Sequence, residues 1–288
     1  MRYLLIADIH SNPYPLLKCL DKERGRFDEI IFLGDYISDM PFPDRTMDYL
    51  YNLKNPYPSY FIKGNREQYQ IDRKNNLLEF YEGTSSSGSL LYTYRNLRAK
   101  DFLFFEGLKQ TELINVPNYG NIRICHGTPD SLYQLISPRD NMINDIIDNM
   151  DTDVLICAHS HVQFVYRKKN KIIINPGSIG IPLGSNGVPQ YGVLTTEDGK
   201  VNIELKSINY DKTKIINDIY ASGLLEQAPI YTKLIIHEIK TGIDYMPVTL
   251  SLAKKIAMES GIPFSKHSVP EECWRKAYEI MLKEKIKG

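Results

Sequence analysis

Five short stretches each end an apolar run on a side chain able to hold a hard or borderline metal ion. They are "IADIHSN" with Asp8 and His10, "FLGDY" with Asp35, "IKGNRE" with Asn65, "ICHGT" with His126, and "CAHSHV" with His159 and His161. Four of the six histidines stand in these corners. Asp8 and His10 are one residue apart, as are His159 and His161. Alternate residues on an extended chain face the same side, so each pair is expected to grip one ion. Glycine precedes Asp35 and Asn65, where a tight turn must aim a short side chain back over the end of a strand. Singly, each residue has an ordinary use: Asp8 as a helix cap, Asn65 in a turn, His126 as a satisfied core histidine. Five such corners in one chain argue for a shared metal site.

The elements that must position these corners follow from the hydrophobic pattern. "RYLLIA" (2–7), a helix near 14–23, "EIIFL" (29–33), a helix near 44–53 and "YFIK" (60–63) form a βαβαβ run with a parallel sheet, followed by a long polar helical stretch. The Gly- and Ser-rich "EGTSSSGSL" (82–90) reads as a loop or helix break before a mostly helical segment to about Leu108. From residue 111 short strands take over: "TELIN", "NIRIC", "VLICA", "QFVYRK", "KIIIN", "YGVLTT" and "VNIELKSI". Turns such as Lys169-Asn170 and Asp198-Gly199 join them, which predicts a second, mixed sheet. An α/β four-layer α-β-β-α sandwich is expected, two facing mixed sheets flanked by helices, with a C-terminal helical extension.

That extension begins after Ser207, giving an expected catalytic domain over 1–207 and a helical unit over 208–288. Its last helix is expected to open with a capping box from Ser268 to Glu271, with Pro270 in the first turn. Trp274, Tyr278 and Met281 form an apolar stripe expected to pack on the main body, with a lid or an oligomer interface as alternatives.

The 288 residues are 42% hydrophobic, enough for a real core, and carry 35 Lys plus Arg against 35 Asp plus Glu. No overall basic field draws the chain to nucleic acid or to a membrane surface. The apolar start is too short and too charged for a secretory signal, and no stretch approaches transmembrane length. Cys19, Cys125, Cys157 and Cys273 are far apart, without a CxxC pair, and read as reduced core thiols of a cytoplasmic protein.

In order, the corners read D-x-H, G-D, G-N, H-G and H-x-H, and this pattern over residues 1–207 resembles the calcineurin-like metallophosphoesterase superfamily, most of all its compact bacterial phosphodiesterase-like branch. "INPGSIGIP" (174–182) is similar to that branch's last loop. The resemblance implies two divalent metal ions, Mn, Fe or Zn. Asp8, His10, Asp35 and His161 would hold the first, and Asp35, Asn65, His126 and His159 the second, with Asp35 bridging. It also implies hydrolysis of a phosphodiester, phosphomonoester or dinucleoside polyphosphate through a metal-bridging hydroxide, so the partner is a small phosphorylated substrate. A nuclease and a metal-binding scaffold without turnover are the alternatives.

One position departs from the pattern. Where much of the family has a histidine that protonates the leaving oxygen, this chain has Arg66. Its guanidinium, with a pKa above about 12, is no general acid at neutral pH but binds phosphate oxygens in a fork. The catalytic set expected is therefore Asp35, Asn65, Arg66 and His126, with Arg66 as a phosphate clamp. Tyr36 and Asp39, in the loop after Asp35, are weaker candidates for substrate contact, and Gly177 and Ser178 are candidate donors near the site. His237 and His267 lie outside every motif.

Overall fold

The computed structural model describes residues 1–54, 56–265 and 267–286. One five-stranded sheet has the order β10-β9-β1-β2-β3. Its strands are β1 (Arg2–Ile6), β2 (Glu29–Phe32), β3 (Ser59–Phe61), β9 (Gln190–Glu197) and β10 (Lys200–Ser207). The other has the order β4-β5-β6-β8-β7. Its strands are β4 (Thr111–Val116), β5 (Gly120–Cys125), β6 (Val154–Ile156), β7 (Phe164–Lys168) and β8 (Lys171–Asn175). Both are mixed. β1, β2 and β3 run parallel, whereas β9 pairs antiparallel with β1 from Arg2↔Thr195 to Leu5↔Gly192.

Alternation within the strands builds the layers. Tyr3, Leu5, Ile31 and Leu33 of the first sheet meet Ile122, Ile124, Val154 and Ile156 of the second between the sheets. Leu4, Ile6, Ile30 and Phe32 face the other way, against Leu16 and Cys19 of α1 (Pro13–Glu23) and Met47 and Leu50 of α2 (Pro43–Leu53). On the far side Leu155 and Ile173 pack on Ile143 and Ile147 of α6 (Met142–Asn149). Helices α3 (Asn65–Lys74), α4 (Gly88–Arg95) and α5 (Ala99–Glu106) connect the two halves. The result is the four-layer α-β-β-α sandwich.

Two local expectations change. β9 and β10 belong to the first sheet, because β9 covers the free edge of β1; strand runs in a sequence do not name their partners. Helix α6, in the Asn- and Asp-rich "NMINDIIDNM" (141–150), is absent from the sequence reading. The Lys169 and Asp198 turns do close hairpins, both residues having left-handed φ, 54° and 50°.

The chain ends in α7 (Lys212–Ala221), α8 (Leu224–Gln227), α9 (Pro229–Thr241), α10 (Met246–Glu259) and α11 (Glu271–Ile286). Ile215, Ile219, Ile235 and Ile239 pack on Met40 and Ile181, so α7 and α9 sit against the corners of the main body. Trp274 and Met281 are buried with Leu234 of α9 and Ala253 of α10, and Tyr278 packs at the margin of that cluster.

The serines of 82–90 form the socket for these helices. Ser85 donates from its N–H and hydroxyl to the Glu271 carboxylate at 2.6 and 3.1 Å and accepts from the N–H groups of Ile230 and Tyr231. Trp274 Nε1 donates to Ser86 Oγ at 2.9 Å, and the Ser87 hydroxyl donates to the His267 carbonyl. The expected Ser268–Glu271 capping box does not form. Glu271 turns to Ser85, and the Ser268 hydroxyl accepts the Ser265 N–H.

Candidate metal centre

The five corners meet at the carboxyl ends of β1, β2, β5 and β6 and at the start of α3. Backbone bonds tie them together: His10 N–H donates to the Asp35 carbonyl at 3.0 Å, Ala158 N–H to the His126 carbonyl at 2.8 Å, and Gly180 N–H to the Asp8 carbonyl at 3.0 Å. Two clusters result, Asp8 with His10 and His161, and Asp35 with His126 and His159, the ligand atoms of each lying within 4.8 Å of one another.

The spacing argument from an extended chain does not hold. Asp8, His10, Asp35, His159 and His161 all have φ between 49° and 65°, so left-handed turns, not strand alternation, aim these side chains. His159 and His161 consequently join different clusters instead of gripping one ion together. Such backbone costs roughly 1–2 kcal/mol per residue and persists only where the surroundings hold it.

The two glycines have separate reasons. Gly34 has φ +87°, and Gly64 has ordinary φ, but a Cβ on it would stand 2.1 Å from Asp35 Oδ1. Glu67 locks the same corner. Buried, it accepts the N–H groups of Asp35 (3.0 Å), Tyr36 (2.8 Å) and Gly64 (2.8 Å). It therefore does not pair with Arg66. Reading Glu67 as the third residue of a helix capped at Gly64 would have found this role in the sequence.

Each histidine has an oxygen close to one ring nitrogen. His10 Nδ1 lies 3.0 Å from Asp39 Oδ2, His126 Nδ1 2.7 Å from the Leu33 carbonyl, and His161 Nδ1 2.8 Å from the Ile181 carbonyl. All three then present Nε2, whereas His159 holds the Tyr133 carbonyl through Nε2 at 3.3 Å, which leaves Nδ1. Asn65 Oδ1 lies 3.0 Å from His126 Nε2.

A cation fits this donor set. Both Asp8 carboxylate oxygens are buried without a hydrogen-bond partner among the described residues. The Nε2 atoms of His10 and His161 face each other at 3.0 Å, two lone pairs once both Nδ1 atoms carry their protons. Burial pushes the Asp8 carboxyl up to about 7. Burial pulls the His126 imidazole down, but the neighbouring Asp35 carboxylate outweighs this and holds it at about 9. Burial and the His126 charge bring His159 down to about 3. Metal binding at such groups displaces protons.

A cleft of about 180 Å³ opens above the clusters. Asp35, Asn65, Arg66, His159 and His161 line it, and Tyr231, Ile235, Glu238, Asp244 and Met246 wall it from the C-terminal helices. Arg66 Nη2 forms an ion pair with Asp39 Oδ2 at 3.1 Å and donates to the Tyr231 hydroxyl at 3.2 Å, while its buried Nε has no hydrogen-bond partner among the described residues. Asp39 lines the cleft, but Tyr36 is buried in the core and donates to the Ile62 carbonyl, so it is placed for no substrate contact. Ser178 donates to the Asp8 carbonyl and braces that corner, and Gly177, with φ +76°, turns the chain beside it. His237 packs on Tyr245, and His267 on Tyr69.

The sequence profile of the calcineurin-like phosphoesterase superfamily domain matches residues 1–199. An uncharacterized protein of Methanocaldococcus jannaschii, MJ0912, is 23% identical over 240 residues, 77% of this chain and 93% of that protein. Among solved structures, a metallophosphoesterase from Sphaerobacter thermophilus superposes with a TM-score of 0.67 at 20% identity, covering 84% of this chain and 100% of that one. The hypothetical protein PH1004 from Pyrococcus horikoshii OT3 superposes with a TM-score of 0.70 at 17% identity, covering 84% and 99%. Both likenesses are of fold.

Proposed function

The chain belongs to the calcineurin-like phosphoesterase superfamily and is a metal-dependent phosphoesterase, and from that premise we propose that it hydrolyses a small phosphorylated substrate at a centre of two divalent ions, Mn, Fe or Zn. The observation that carries this reading is the meeting of two ligand clusters around one carboxylate. Asp35 Oδ2 lies 3.8 Å from His10 Nε2 of the first cluster and 3.4 Å from His126 Nε2 of the second. Asp8, His10, Asp35 and His161 would hold one ion, and Asp35, Asn65, His126 and His159 the other. When bound, the ions supply Lewis-acid polarisation of the phosphoryl group and an activated water.

The side chains do the remaining work. Arg66 lines the cleft and offers its guanidinium to a phosphoryl oxygen, held in place by Asp39 and Tyr231. Tyr231, Ile235 and Met246 keep bulk water from one side of the reacting ester. A pocket of about 120 Å³ shares Arg66, Tyr231 and Met246 with the cleft and adds the rings of Tyr69 and Trp274, a seat for the non-phosphate part of the substrate.

The substrate class is a phosphodiester, phosphomonoester or dinucleoside polyphosphate. The C-terminal wall closes one side of the cleft with Tyr231, Ile235, Glu238, Asp244 and Met246, none of them basic, which favours such molecules over a nucleic acid strand that needs an open, basic track. On this reading residues 1–207 carry the ligands and 208–288 the wall, and the four buried, unpaired cysteines support a reducing cytoplasmic setting.

The test is turnover of an aryl phosphodiester and the matching monoester by protein stripped of metal, reloaded with manganese, and carrying Asp35→Asn. Metal-dependent turnover absent from the variant is expected, with the diester-to-monoester ratio narrowing the class. Tight manganese binding without turnover of either ester would favour a scaffold.

A further inference from the structure

We propose that Glu238, on α9, is the general acid that protonates the leaving oxygen as the phosphoester bond breaks, an assignment that rests on the phosphoesterase reading above. Hydrolysis breaks a P–O bond whose electron pair stays on the leaving oxygen, and a poor leaving group needs a proton at that moment. Attack by water forms the new P–O bond and releases one proton to solvent. Glu238 gives its own proton to the leaving oxygen and is reprotonated from solvent, so the balance is that of simple hydrolysis.

The cleft offers few donors. Arg66 keeps its charge at any accessible pH and is tied to Asp39 and Tyr231. The Tyr231 hydroxyl already donates to Asp39 Oδ1 at 2.8 Å, and burial raises it well above the ordinary tyrosine range. Asp39 is pushed up by burial but is held below the usual carboxylate range by Arg66 and His10. Asp244 accepts the Met246 N–H at 2.7 Å, at the start of α10.

Glu238 differs from all of these. It lines the cleft, is 6% exposed, and its carboxyl makes no hydrogen bond or ion pair among the described residues. An ionised carboxylate in that position would be an uncompensated buried charge. The charged groups facing it are Asp244 beyond the end of its own helix, Asp39 in the loop after β2, and Arg66 on α3, with Tyr231 two turns back and His159 and His161 across the cleft. Burial first, then Asp244 and Asp39, push its carboxyl well above the ordinary range, and Arg66 opposes them only in part. A protonated carboxyl in a phosphoesterase cleft whose neighbouring cation is a fixed arginine has the chemistry of an acid catalyst.

The test uses the full-length manganese-loaded protein and Glu238→Gln on phosphodiesters whose leaving groups run from 4-nitrophenol through phenol to a simple alcohol. A loss that grows as the leaving group worsens is expected, smallest for 4-nitrophenol and reaching about 10²–10⁴ for the alcohol. The fall of wild-type kcat/KM at high pH should also disappear in the variant.

A second readout needs neither metal nor turnover. A raised folded-state carboxyl contributes stability that is fully present below the unfolded value, about 4.3, and is lost as pH rises towards the folded one. Metal-free wild type should therefore lose stability relative to Glu238→Gln over that range in urea melts. An equal loss across all leaving groups, or superimposable pH–stability curves, overturns the assignment while the phosphoesterase reading stands. Wild type that turns over no ester with any metal removes both.

Discussion

Asp39 is the residue through which the metal ligands and the substrate contacts are joined. Its carboxylate takes His10 Nδ1 on one oxygen and the Tyr231, Ser38 and Ser89 hydroxyls on the other, and it also holds Arg66. A carboxylate behind a ligating histidine fixes the tautomer and strengthens the donor, and its loss typically lowers metal affinity about 10–100-fold. Asp39→Asn should show that decrease in manganese titrations against a chromophoric chelator; unchanged affinity would mean that His10 does not depend on this contact. Arg66 calls for a different variant. Arg66→Lys keeps the charge but not the fork, and a lost charge-assisted hydrogen bond of about 1.5–3 kcal/mol corresponds to a fall in kcat/KM of roughly ten- to a hundredfold. Manganese affinity measured in the same protein should stay close to wild type, which separates substrate binding from damage to the ligand set.

At the scale of the elements, the corners were legible because an apolar run that ends on Asp, Asn or His at a strand terminus leaves a strong mark in one dimension. The strands and the α1 and α2 helices were legible for the same reason, since period and turn residues are local. What joins elements distant in sequence was not. Nothing in "YGVLTT" says that β9 lies beside β1, and nothing near Arg66 says that its partner is Tyr231, 165 positions later. The serines of 82–90 read as a loop or helix break, which they are up to Gly88; only the docked helices show them as a polar socket. Breaking that socket is therefore the informative change. Glu271→Ala leaves the Ser85 N–H without its acceptor, and an unsatisfied buried donor costs about 1–3 kcal/mol. The cost should appear as faster amide hydrogen exchange in α9 and α11, with β1, β2 and β6 unaffected. Uniform acceleration across both sheets would instead mean that the helices and the sandwich unfold as one unit.

For the whole molecule, the fold closes around a group of charges that it does not neutralise by itself. Asp8 has no hydrogen-bond partner for either oxygen among the described residues, the Nε2 atoms of His10 and His161 crowd to 3.0 Å, and five ligand residues sit in left-handed backbone. These features lower the stability of the metal-free protein, and ions that bind the native state and not the unfolded chain restore it. Each site contributes about 2.7 kcal/mol when free metal is a hundredfold above its dissociation constant. Manganese should therefore raise the urea midpoint of the wild type, and a chelator should reverse the rise. Asp8→Asn removes the orphaned charge, so the metal-free variant should equal or exceed the metal-free wild type in stability while gaining less from manganese. If instead Asp8→Asn destabilised the metal-free protein and left the manganese increment intact, the carboxylate would be a structural cap on its corner and the first ion would have to be held without it.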